Sequence, residues 1–103
     1  MNKKPICYDF DGVIHEFKDG WTGDMPEGKP VKDAKWAIDL LTERGIEVVI
    51  LTARTDFASI RSWLKKNGFP PLKVTNKKIP CLFIIDDHGL RFTNHQDIIK
   101  YII

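Results

Sequence analysis

Three short apolar runs govern what this chain can become, because each of them ends in residues that carry chemistry. The first, residues 5–10, leads into Asp9-Phe10-Asp11-Gly12. The second, residues 46–51, is apolar and β-branched apart from Glu47 and leads into Thr52-Ala53-Arg54. The third, residues 81–85, leads into Asp86-Asp87. Continuous apolar stretches of this length, bounded by turn residues, read as strands buried in a sheet.

The segments between them carry a helical period. Ala34, Ala37, Ile38 and Leu41 follow the i, i+3, i+4, i+7 spacing of one helix face, and Arg44-Gly45 supplies a stop. Thr55 or Asp56 can cap a second helix whose inner face holds Phe57, Ile60 and Leu64, and Asn67-Gly68 ends it. Residues 72–74 suit a short edge strand, and Asn94 can cap a last helix with Ile98, Ile99 and Ile102 inside. Residues 12–30 are rich in glycine and proline and read as a loop. Strands alternating with helices predict an α/β fold with a parallel sheet covered on both faces. At 103 residues, without a linker or repeat, the chain fits a single domain, residues 1–103.

Bulk composition excludes more than it identifies. A net charge of +2 does not imply nucleic acid as a partner. No apolar run is long enough to cross a bilayer, and Asp9 and Asp11 interrupt any signal-peptide core. Two cysteines, Cys7 and Cys81, form no zinc pattern and read as buried small hydrophobes in a reducing compartment, so a cytoplasmic location is expected. Trp21, Trp36 and Trp63 read as packing groups, and His15 and His95 as surface loop residues.

Parallel strands present their carboxyl ends along one edge of a sheet, which is where such folds bind ligands. The three strand ends therefore gather several carboxylates beside a hydroxyl, with Lys77 and Lys78 just upstream of the last strand. Converging carboxylates repel one another and need a cation to stay ionised together. An all-oxygen donor set suits Mg2+. A hydroxyl and an ammonium added to that set make a phosphoryl group the natural ligand, with one carboxylate placed to attack phosphorus and form an aspartyl-phosphate.

The run Asp9-Phe10-Asp11-Gly12-Val13-Ile14-His15 resembles the first motif of the haloacid dehalogenase (HAD) superfamily. Thr52 is similar to its second motif, Lys78 or Lys77 to its third and Asp86-Asp87 to its fourth, in the same order along nearly the whole chain. Gly20-Trp21-Thr22-Gly23 and Thr75-Asn76-Lys77-Lys78 resemble stretches of very small bacterial and phage members, which generally lack an assigned substrate. The resemblance implies a three-layer α/β/α, Rossmann-like sheet. It implies that Asp9 is nucleophile and metal ligand, and that Asp11 is acid and then base, its backbone carbonyl also binding the metal. Thr52 and Lys78 would hold the phosphoryl group, with help from the backbone N–H groups of Phe10 and Ala53. Asp86 would complete the metal sphere, and Asp87 would support it. An acid at Asp11 accompanies hydrolysis of phosphoesters in that superfamily. His88 stands where the small relatives tend to have Arg, and is expected to be a polar loop residue or to touch substrate. Lys77 and Lys78 are adjacent, so only one of them faces inward, and Lys78 is chosen. Arg54 either grips phosphate or caps Asp56.

The gaps after the first motif and between Thr52 and Lys78 leave no room for the cap domain of larger relatives. An uncapped site accepts a bulky phosphorylated substrate, such as a nucleotide or a phosphorylated polymer end, or is covered by a second copy of the chain. The expected activity is thus a Mg2+-dependent phosphomonoesterase. Rival readings are a receiver-type phospho-acceptor module, a phosphate-binding protein without turnover and a metal-dependent nuclease. A receiver would carry its acceptor Asp at the end of a middle strand, where this chain has Thr52.

Overall fold

The computed structural model of the chain describes residues 4–16, 26, 28–86, 90–91 and 94–102. Its elements are β1 (Ile6–Asp9), α1 (Ala34–Glu43), β2 (Val48–Leu51), α2 (Phe57–Lys66), β3 (Lys73–Thr75), β4 (Phe83–Asp86), β5 (Leu90–Arg91) and α3 (His95–Ile102). The strands form one five-stranded sheet in the order β3-β2-β1-β4-β5. Each neighbouring pair is parallel. This is the α/β, Rossmann-like plan expected, with β1 at its centre; the short β5 was not anticipated.

Local chemistry sets the element ends. Helices α1 and α2 close alike: Ile46 N–H reaches the Leu41 carbonyl and Phe69 N–H that of Leu64, each at 2.9 Å, wrapping the chain over Gly45 and Gly68. That closure holds Ile46 out of β2, which starts at Val48. Asp56 caps α2, accepting from Ser59 N–H at 3.1 Å and from its hydroxyl at 2.6 Å. These bonds hold the Asp56 carboxyl below its ordinary pKa. Asn94 caps α3 by accepting from Asp97 N–H at 2.9 Å.

Strand register divides the sheet into two unlike faces. Ile6 lies level with Val48 and Phe83, and Tyr8 with Ile50 and Ile85. These side chains join one apolar cluster with Ala37, Ile38 and Leu41 of α1, Ile60, Trp63 and Leu64 of α2, and Ile98 and Ile99 of α3. Burying each large side chain there contributes about 1.5–3 kcal/mol. All three helices therefore cover the same face. Cys7 and Val49 alternate onto the other face and are buried outside that cluster. The cover over that face comes from the connection 76–82 between β3 and β4, which follows Lys73–Thr75 and precedes Phe83–Asp86. Leu82 N–H bonds the Pro5 carbonyl at 2.8 Å, and Cys81 is joined to Cys7 by a disulfide. A cleft of about 600 Å³ remains beside Val49, bounded by Lys73, Thr75, Ile79 and Pro80. Among the described residues, the helical layer expected on both faces is thus present on one, because no helix forms between β3 and β4.

Several side chains depart from expectation. The disulfide overturns the reading of Cys7 and Cys81 as free thiols and withdraws its support for a cytoplasmic setting. Trp63 is buried as expected, but Trp36 is 47% exposed, lying off the inner face of α1. Trp21 lies outside the described residues. His15 and His95 are buried, not surface residues. His95 stacks on Tyr8 at 5.9 Å and its Nε2 bonds the Val13 carbonyl at 2.8 Å. Burial lowers its pKa, against the upward pull of that bond. Burial likewise raises that of Tyr8. Among the described residues, no helix is long and apolar enough to cross a membrane.

Candidate active site

The residues singled out by the three strand ends meet at the carboxyl edge of the sheet. Asp9 ends β1 and Asp86 ends the neighbouring β4. Since Tyr8 pairs with Ile85, the next residue on each strand brings Asp9 abreast of Asp86. Both are half-buried. Asp9 Oδ1 accepts the Phe10 backbone N–H at 2.9 Å, so that N–H, expected to hold phosphoryl oxygens, is taken up by the carboxylate beside it.

On the other flank of β1, Asp9 pairs with Leu51, and Thr52 follows β2. Thr52 is buried, and its N–H bonds the Thr75 carbonyl at 3.0 Å. Its Oγ1 accepts Arg54 N–H at 3.0 Å, which leaves the hydroxyl proton available for an oxygen of a ligand. Ala53, between them, is exposed at the edge.

Asp11 is bonded from two sides. Immediately after β1 the chain folds back, with Ile14 and His15 N–H groups both 3.0 Å from the Phe10 carbonyl and Gly12 N–H 2.8 Å from that of His15. The turn returns His15 to Asp11, whose Oδ1 lies 2.9 Å from His15 Nδ1. Arg54 meets the same carboxylate with two prongs, Nε to Oδ2 at 2.8 Å and Nη2 to Oδ1 at 3.0 Å. The two side chains are 9% and 22% exposed, so this is a forked, largely desolvated ion pair of the strong kind. The guanidinium also lies 5.9 Å from the centre of the Phe10 ring. Arg54 thus does not cap Asp56: its fork is on Asp11.

Lys77 and Lys78 are both exposed on the bend after β3. Lys77 N–H bonds Thr75 Oγ1 at 3.1 Å. Among the described residues neither ammonium forms an ion pair with Asp9, Asp11 or Asp86, so the structure does not bring Lys78 into the cluster. Asp87 and His88 lie outside the described residues.

The donor set bears on the implied cation. Asp9 and Asp86 offer two carboxylates side by side, and the Asp11 carbonyl follows directly. The Asp11 side chain is engaged elsewhere. Among the described residues no three acidic, histidine or cysteine side chains form a metal-binding group of their own. Two carboxylates fit Mg2+, which keeps several waters and commonly takes the rest of its sphere from a substrate phosphate. Sequence reasoning missed His15 in this site. Its signal was the spacing Asp11 to His15 across a glycine turn.

Fold and edge together define a small, parallel-sheeted, Rossmann-like α/β protein whose polar residues converge at the strand ends. No protein-family model matches the chain. No curated protein matches it either. Among solved structures it is similar to a conserved protein coded by a locus of Bacteroides thetaiotaomicron, at 19% identity and a TM-score of 0.77, over 98% of this chain and 90% of that one. At that identity the likeness concerns the fold.

Proposed function

We propose that this chain is a magnesium-dependent phosphomonoesterase in which Asp9 is the nucleophile. The observation that supports this reading best is the placement of Asp9 abreast of Asp86, one residue beyond the Tyr8–Ile85 pair of adjacent strands, beside a Thr52 hydroxyl and the Asp11–Arg54 pair. Asp9, Asp86 and the Asp11 carbonyl would hold Mg2+, which when bound offsets the charge between an anionic nucleophile and an anionic phosphoryl group.

The chain's own residues divide the remaining work. An Asp9 oxygen forms a bond to phosphorus as the bond to the leaving oxygen breaks; Asp11, which takes up a proton from solvent once Arg54 has left it, delivers that proton to the leaving oxygen. Water then attacks phosphorus, the bond to Asp9 breaks, Asp11 takes the water's proton, and inorganic phosphate leaves. Thr52 donates its hydroxyl to a phosphoryl oxygen. Arg54 leaves Asp11 for the incoming phosphoryl group, which frees Asp11 Oδ2 to face the leaving oxygen. Lys78 swings in from the exposed bend to share the phosphoryl charge. With no room in the sequence for a cap domain, this reading favours a bulky ester, such as a nucleotide or a phosphorylated polymer end.

The test is release of phosphate from an aryl phosphate with and without Mg2+. Asp9→Asn should fold and lose activity by at least about 10³-fold, as expected for removal of a covalent nucleophile. Full activity in that variant ends the assignment.

A further inference from the structure

Asp11 has two anchors, and they are not equivalent. Arg54 binds both of its oxygens, Oδ2 through Nε and Oδ1 through Nη2. His15 binds Oδ1 alone, through Nδ1. If Arg54 moves to a phosphoryl group, His15 is what still orients the carboxyl group, with Oδ2 turned toward the leaving oxygen.

The His15 ring is built to hold one orientation and one tautomer. It stacks parallel to Phe10 with the ring centres 5.0 Å apart and the planes 1° apart, and Trp63 meets it edge-on at 5.2 Å. Its far nitrogen, Nε2, accepts the Gly28 backbone N–H at 2.8 Å. A nitrogen that accepts carries no proton, so the ring proton sits on Nδ1 and is donated to Asp11. Gly28 is itself fixed, because its carbonyl accepts Trp63 Nε1–H at 2.9 Å. A side chain at residue 28 does not fit: a Cβ there would collide with the Glu16 carbonyl oxygen and lie 2.8 Å from His15 Nε2.

We infer that His15 is a positioning residue for Asp11, locked by Gly28 as the Nδ1–H tautomer so that one carboxylate oxygen stays held while the other is free to exchange protons. The inference rests on the proposed phosphomonoesterase reading for its catalytic consequence, but the lock itself is a property of the resting protein.

Two substitutions separate the ring's two bonds. Asparagine places an amide N–H where Nδ1 stands and loses the reach to Gly28; glutamine reaches Gly28 and loses the donor to Asp11. His15→Gln should therefore lower kcat about tenfold or more with KM nearly unchanged, the cost of misorienting a proton donor. His15→Asn should restore kcat to within about threefold of the original protein, since it keeps the bond that orients that donor. Equal losses in the two variants, or an unaffected kcat in His15→Gln, overturn the inference, because the ring would then serve packing alone. Independently, 15N NMR of the unsubstituted protein should show a protonated Nδ1 and an unprotonated Nε2, and the opposite tautomer overturns it. Absence of phosphate release from every ester, together with the Nδ1–H signature, would remove the proposed activity and leave the lock standing.

Discussion

The two sides of the candidate site are built by opposite means. On the β1–β2 side, Asp11, His15, Thr52 and Arg54 are buried or nearly so and bonded to one another within 3.0 Å. On the β3–β4 side, Lys77 and Lys78 stand exposed on a bend, and the connection that carries them is fastened by the Cys7–Cys81 disulfide and one backbone bond to Pro5. The first side fixes where a proton can go, a task that tolerates little misplacement. The second supplies charge on long stems, which can adapt to esters of different shape. Rigidity is invested where the proposed chemistry is shared by all substrates, and slack is left where substrates differ.

The largest effect that can break this contrast is reduction of the disulfide. Cys7 and Cys81 are 74 residues apart, and a closed loop of that size contributes up to about 4 kcal/mol by constraining the unfolded chain. Reduced protein should melt earlier, and native-state amide exchange should quicken in residues 76–86 while residues 11–15 and 52–54 keep their protection. Uniform quickening across the sheet would mean that the two sides form one cooperative unit. Next comes Arg54. Arg54→Ala leaves Asp11 charged and poorly solvated, and should cost about 2–3 kcal/mol in denaturant unfolding. It should also lower kcat/KM about 100-fold, since the proposed phosphoryl contact goes with it. Arg54→Lys should recover only part of either loss, because a single ammonium cannot reproduce the fork on Oδ1 and Oδ2. Unchanged stability in Arg54→Ala would show that this pair does not hold the β1–β2 side together.

The contrast also marks what the sequence could reveal. The strand ends were readable because an apolar run stops where the chemistry starts, so Asp9, Thr52 and Asp86 fell at the edge of the sheet as expected. The inner faces of α1, α2 and α3 followed from period alone. Contacts between distant residues carry no such periodic mark. Arg54 and Asp11 are 43 residues apart, and nothing near Arg54 distinguishes a guanidinium aimed at Asp11 from one aimed at Asp56. His95 was within reach of the period: it precedes the buried Ile98 and Ile99 by three and four residues, which places it on the inner face of α3. The placement of α1 and α2 on one face was also within reach, since successive right-handed crossovers in one direction keep their helices on the same side. The disulfide was not, because the meeting of Cys7 with Cys81 depends on the path of residues 76–82 beneath the sheet.

The smallest expected effect sharpens the adaptable side. Lys77 N–H closes a turn onto Thr75 Oγ1, and Lys78 follows it at the approach to Ile79 and the cleft beside β3. With both ammonium groups exposed on this bend, the activities of the two single variants decide which of them serves the Asp9 edge. Lys78→Ala should lower kcat/KM about tenfold, the scale of one charge-assisted contact, whereas Lys77→Ala should change it less than about threefold. Neither substitution should move the melting temperature by more than about 2 °C, because both side chains are exposed and unpaired among the described residues. The Lys78 effect should shrink with added salt, as a contact formed from a solvent-exposed stem is screened within about 10 Å at 0.1 M. A larger loss in Lys77→Ala would exchange the two assignments. Equal activity in both variants would take the lysines out of the site and leave phosphoryl recognition to Thr52 and Arg54 on the rigid side alone.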